Sequence, residues 1–166
     1  MEPRLWTATA GDLEEVAALI AAFRSWWGKE EPTLEQIRQT AETLLHDPNT
    51  EFLLAAPGDG APPFGVCQLR YRLSVWTGAD DCWLEDLYVD ESARGTGLGR
   101  ALVNAAFDRA RQRGCRRMEL DVNEQNTAAI AFYESLGFTT EPKPPGRTLF
   151  VSRKLLGGSI LPGGPC

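Results

Sequence analysis

At 166 residues the chain is sized for one compact domain with a sizeable buried core. Hydrophobic residues at 43% and charged residues at 24% are ordinary globular proportions, which argues against a disordered or fibrous chain. A formal net charge of −6 disfavours sequence-independent nucleic-acid binding, which needs clustered cations, and its sign suits cationic substrates.

Residues 4–8 read as a short first strand. Asp12 then opens a helix: Glu15 completes a capping-box pattern, Leu13, Val16, Ala17 and Ile20 recur at helical spacing, and Gly28 marks the end. Thr33 caps a second helix with Gln36 as its partner. Ile37, Ala41, Leu44 and Leu45 face inward, and Asp47-Pro48-Asn49 terminates it. Beyond this point the period changes. Residues 51–55 predict a strand, and 57–63 a turn-rich connection. Over residues 64–75, Cys67, Leu69, Tyr71, Leu73 and Val75 alternate with Gln68, Arg70, Arg72 and Ser74, the pattern of a half-buried strand. Residues 82–89 form a second, more apolar strand.

A glycine-rich turn over 94–99 leads into a helix with Leu98, Ala101, Leu102, Ala105 and Ala106 on one face, closed by Gly114 as a left-handed cap. Residues 117–122 alternate through Met118, Leu120 and Val122 as another strand. Asn126 caps a short helix that Gly137 ends. Residues 148–153 predict a last strand, while 157–166, rich in glycine and proline, read as a flexible tail. With no internal repeat and no second core-forming segment, residues 1–156 are expected to be one mixed α/β domain.

No run approaches the ~20 apolar residues needed to cross a bilayer, so no membrane partner is expected. The opening Met1-Glu2-Pro3-Arg4 lacks a basic region followed by an apolar stretch, so no signal peptide is expected. Cys67, Cys82, Cys115 and Cys166 form no CxxC pair, and His46 is the lone histidine. A Cys/His metal site is therefore not expected, nor is a nucleophile built on His46. The spacing fits reduced, mostly buried thiols in a cytoplasmic protein.

The informative block runs Trp83-Leu84-Glu85-Asp86-Leu87-Tyr88-Val89, Asp90-Glu91-Ser92-Ala93, then Arg94-Gly95-Thr96-Gly97-Leu98-Gly99-Arg100. A strand leads through a glycine turn to a helix start. Backbone N–H groups and the helix dipole there can receive a phosphate, glycines allow close approach, and Arg94 and Arg100 add full charges. A plain glycine helix start is the bland alternative. A dinucleotide-binding turn fits poorly, because Arg100 stands where GxGxxG needs glycine. A Walker A loop fails as well, since no Lys-Ser/Thr follows the last glycine.

Arg94-Gly95-Thr96-Gly97-Leu98-Gly99 resembles the R-x-x-G-x-G/A acyl-CoA loop of the GNAT family of N-acetyltransferases. Asn126-Thr127-Ala128-Ala129-Ile130-Ala131-Phe132-Tyr133-Glu134-Ser135-Leu136-Gly137-Phe138 resembles that family's N-x-x-A-x-x-x-Y-x-x-x-G-F ending. The resemblance spans roughly residues 83–138. It implies a central, mostly antiparallel sheet with a splayed strand pair, flanked by helices. It also implies acetyl-CoA as acyl-donor cosubstrate, with no metal. The pantetheine arm would pair with backbone at Leu87, Tyr88 and Val89, and the pyrophosphate would rest on Arg94, Gly95, Thr96, Gly97, Leu98, Gly99 and Arg100. Asn126 would bond the cofactor arm, a role compatible with a plain N-cap.

Direct attack of an amine on a thioester needs two proton transfers, because an alkyl amine with a pKa near 10.4 is only about one part in a thousand neutral at pH 7. Strand alternation puts Glu85 on the apolar face of Trp83, Leu87 and Val89, where desolvation favours it as the base; Asp86, with Leu84 and Tyr88 on the opposite face, is the runner-up. A salt-bridged or solvent-facing glutamate is the structural alternative. Tyr133 matches the family's general-acid position and could also be a core aromatic of its helix. Phe23, Trp26, Trp27 and Lys29-Glu30-Glu31 fall where the family's first two helices form a substrate wall, although core packing accounts for the helix-facing members.

The expected activity is acetyl transfer to a primary amine, with small-molecule amines or polyamines favoured. A peptide N-terminus as acceptor and a non-catalytic CoA-binding regulatory module are the alternatives. A homodimer is an assembly common among similar proteins.

Overall fold

A computed structural model describes residues 2–141, which Cα packing divides into two compact units, one ending at Asp121 and the other beginning at Val122. The strand expected over 148–153 and the tail over 157–166 lie outside the described residues.

The first unit is built on a five-stranded sheet in the order β1 (Arg4–Thr7), β2 (Thr50–Ala56), β3 (Gly65–Ser74), β4 (Ala79–Val89), β5 (Met118–Glu119). The first three pairings are antiparallel, and β4–β5 is parallel. On one face lie α1 (Leu13–Trp26) and α2 (Leu34–Leu45). Their Leu13, Val16, Leu19, Phe23 and Ala41 pack with Phe52 and Leu54 of β2, Val66 of β3 and Tyr88 of β4. The opposite face carries α3 (Leu98–Gln112), which rests so close on β3 that a Cβ at Gly65 would meet a Leu102 methyl at 2.8 Å. Arg109 of α3 reaches Glu51 of β2 with two hydrogen bonds of 2.7 and 2.9 Å, a bidentate pair that fixes helix to sheet.

Local signals explain most boundaries. Thr33 and Gln36 make the reciprocal capping box of α2 as expected. The start of α1 differs. Thr9 and Asp12 make the box around a 3-10 turn, and Asp12 itself makes no side-chain cap for α1. An earlier Thr-x-x-Asp outcompetes the Asp12–Glu15 pattern because its hydroxyl and carboxylate both reach backbone N–H groups.

The half-buried reading of β3 fails at both ends. Val66 and Gln68 are buried along with Cys67 and Leu69, because helices cover both faces there. Pairing to β2 ends at Thr50↔Arg70, so the hairpin tip overhangs, leaving Leu73, Val75 and Trp76 (92%) exposed. The strand expected over 117–122 shrinks to Met118–Glu119, since only Cys82↔Met118 and Trp83↔Glu119 pair with β4. Arg117 clamps this root: it donates to the Asp81 carboxylate at 2.7 Å, while its carbonyl accepts from the Cys82 N–H at 3.1 Å.

In the second unit, Asn126 caps α4 (Thr127–Glu134) by accepting from the Ala129 N–H at 3.2 Å, and Gly137 follows in a left-handed conformation. No helix among the described residues is long and apolar enough to cross a membrane.

Candidate active site

The site is organised by a break in the β3–β4 ladder. Register runs Leu69↔Leu84 and then Gln68↔Asp86, so Glu85 is the extra residue of a bulge. A bulge bends and twists its strand. It sits two residues beyond Trp83, where the parallel pairing with β5 stops. Successive side chains alternate faces only while register holds, so the bulge resets the alternation. Leu84 and Leu87 pair with Leu69 and Cys67 on one face; Trp83, Asp86 and Tyr88 pair with Arg70, Gln68 and Val66 on the other.

This corrects the strict alternation read from sequence, which set Glu85 beside Leu87 and Asp86 beside Leu84. Glu85 is exposed, whereas Asp86 is largely screened and faces the buried Gln68. The desolvation expected of Glu85 falls on Asp86. Loss of water, followed by repulsion from Glu85 and Asp121, pushes its carboxyl up to about 6.

From Val89 the chain turns through Asp90, whose carboxylate accepts from the Ser92 N–H at 2.9 Å, and Thr96, whose hydroxyl donates to the Ala93 carbonyl at 2.7 Å. Gly95 and Gly97 lie at φ +76° and +90°, and Gly97 is the N-cap of α3. The first N–H groups of α3 point along the helix axis, where they lack intrahelical acceptors. The first turn of α3 holds no acidic residue, contains the exposed Arg100, and is anchored by buried Leu98. That is the reverse of what compensation of the helix dipole selects, and it suits an external anion. Residues 94–97 are all exposed, so the receptive surface is open to solvent.

Arg94 is more constrained than its place in the motif suggests. Its Nε donates to the Val89 carbonyl at 3.0 Å, and Nη1 pairs with Glu91 at 3.3 Å. The backbone at Val89, expected to pair with the cofactor arm, therefore already accepts one bond. Tyr88 is buried and stacks on Phe23 at 5.4 Å, which makes Phe23 a core residue rather than a wall. Trp26 stays exposed at the end of α1.

Asn126 and Tyr133 stand at the two ends of α4 in the second unit. Tyr133 is buried, its ring edge-on to Phe132 at 5.2 Å and Phe138 at 5.5 Å, and its carbonyl accepts from the Phe138 N–H at 3.1 Å. Among the described residues no cluster of His, Cys, Asp and Glu is placed to hold a metal ion.

A sequence profile of the Acetyltransferase (GNAT) family matches residues 16–138. The chain is 36% identical over 142 residues to a mycothiol acetyltransferase of Beutenbergia cavernae, across 82% of this chain and 45% of that protein. It therefore spans less than half the length of that relative. It is also 36% identical over 144 residues to the thialysine N-epsilon-acetyltransferase of Sus scrofa, covering 78% of this chain and 80% of the relative. Among solved structures, a protein of Arthrobacter sp. FB24 classed as an acetyltransferase superposes with a TM-score of 0.80 at 32% identity, over 93% of this chain and 96% of the other.

Proposed function

The chain belongs to the acetyltransferase (GNAT) family, and from that we propose that it transfers an acetyl group from acetyl-CoA to the primary amine of a small molecule. The observation that carries this reading is the open anion-receptive turn at Gly95–Gly97 and the head of α3, directly downstream of a bulged, carboxylate-bearing strand. Both curated relatives named above are acetyltransferases, one of them for an ε-amine, which supports an amine acceptor.

Acetyl-CoA supplies an activated thioester when bound. Gly95, Thr96, Gly97, Leu98 and Gly99 would hold its pyrophosphate through backbone N–H groups, with Arg100 adding charge. Leu87, Tyr88 and Val89 offer strand backbone to the pantetheine arm, and Asn126 a side-chain amide. The acceptor ammonium must lose a proton before its nitrogen can form the new N–C bond as the C–S bond breaks. Glu85, the carboxylate that the bulge leaves at the surface, takes that proton; the nitrogen sheds its second proton to solvent as the amide forms, and Tyr133 gives one to the departing thiolate. A second reading gives the base role to Asp86, and its carboxyl near 6 supports that, because a base works best with a pKa close to the working pH. The acidic pair Glu85–Asp86 also suits a cationic acceptor, polyamines included.

The test is release of CoA thiol on mixing the protein with acetyl-CoA and a panel of amines. Thiol release that depends on amine supports the transferase; CoA binding without release points to a regulatory module.

A further inference from the structure

Trp26, the last residue of α1, is 44% exposed, yet its ring is not idle. The Arg94 guanidinium lies over it, 5.1 Å from the ring centroid, and 5.9 Å from that of Tyr88. Trp26 in turn stacks on Phe23 at 6.3 Å, and Phe23 stacks on Tyr88 at 5.4 Å. Trp27 closes edge-on against Trp26 at 4.6 Å. The four groups Trp26, Phe23, Tyr88 and Arg94 thus form a closed circuit joining the end of α1 to the end of β4 and the foot of the glycine turn.

Arg94 spends its hydrogen bonds within the protein, on Val89 and Glu91, and its charge faces two aromatic rings. A guanidinium so engaged acts as a strut: it fixes the direction in which the chain leaves β4 and reaches Gly95. We propose that Trp26 is a positioning residue for the acyl donor, its ring face holding Arg94 and thereby the glycine turn in the conformation that receives the pyrophosphate. This rests on the reading that the turn binds acetyl-CoA. It assigns an exposed aromatic on the first helix to the donor side of the reaction.

The contact is testable because a cation–π pair at an exposed site has a characteristic size. In W26L, which keeps apolar bulk but loses the ring face, the Kd for coenzyme A by calorimetry should rise about two- to fivefold. KM for acetyl-CoA should rise in parallel, with kcat at saturation and Tm nearly unchanged. W26Y, which restores a ring, should bind coenzyme A measurably tighter than W26L and close to wild type. If Trp26 acts through Arg94, W26L in an R94Q background should add no further loss, since coupled residues are non-additive. Wild-type affinity in W26L, equal losses in W26L and W26Y, or additive losses in the double variant would each overturn the proposal. Failure of the wild-type protein to bind coenzyme A would instead overturn the reading of the turn itself.

Discussion

Asp86 faces Gln68 across the β3–β4 ladder, although Leu84, two residues earlier, faces Leu69, the very next residue of β3. The mismatch of one residue moves Asp86 into the screened side of the strand and leaves Glu85 at the surface. Its energetic consequence can be measured. A carboxyl near 6 in the folded state, against about 3.9 when unfolded, binds its proton more tightly in the native protein. The ionised form is therefore the destabilising one. The cost is absent below the unfolded pKa, grows as pH rises from about 4 to about 6, and is full above that. Asp86→Asn should raise stability by about 1–3 kcal/mol at pH 7.5 and by almost nothing near pH 3, read from urea unfolding at the two pH values. Equal stability at pH 7.5 would show that Asp86 is not desolvated.

The division of labour between the two carboxylates follows from pH profiles. Glu85→Gln should lower kcat/KM by about a hundredfold if Glu85 is the proton acceptor. Removing its charge also relieves repulsion on Asp86, whose carboxyl should then titrate at lower pH. Retained activity with the acidic limb moved downward would transfer the role to Asp86.

Gly97 makes a narrower prediction. A Cβ built on it meets nothing within 4 Å, so bulk alone is tolerated, but φ +90° is a conformation that β-branched residues resist. Gly97→Val should therefore rotate the first N–H groups of α3 away from their common focus. Coenzyme A affinity by calorimetry should fall tenfold or more, and an unchanged Kd would remove the turn from the donor site.

Tyr133→Phe separates chemistry from packing. The ring contacts with Phe132 and Phe138 persist in the variant, so it should still fold, as a melting curve on the same preparation would show. A CoA thiol with a pKa like that of cysteine, about 8.5, leaves tolerably well unprotonated, so loss of a general acid should slow kcat about tenfold to a few hundredfold. Full activity would reduce Tyr133 to a packing residue.

The features legible in the sequence were those that short-range chemistry decides. The Thr33–Gln36 box, the left-handed Gly114 behind α3, the Asn126 cap and the glycine turn at 94–99 each depend on residues within one helical turn of one another. The bulge at Glu85 was not legible, because register is set by the partner strand: nothing between 82 and 89 records that Gln68 rather than Leu69 will face Asp86. For the same reason the exposure of Leu73 and Val75 depends on where β2 stops, and the shortness of β5 on where β4 bends. The Arg94–Trp26 contact joins residues 68 positions apart, and periodicity in neither helix nor strand foretells it.

The most direct test of acetyl transfer is to mix the purified protein with acetyl-CoA and, separately, polyamines, aminoglycosides, amino acids and peptides, following free thiol and acceptor mass together. At least one small primary amine should produce free CoA thiol and acetylated amine in equal amounts, with little thiol released when amine is omitted. Tight acetyl-CoA binding with no acetylated product from any amine would contradict it.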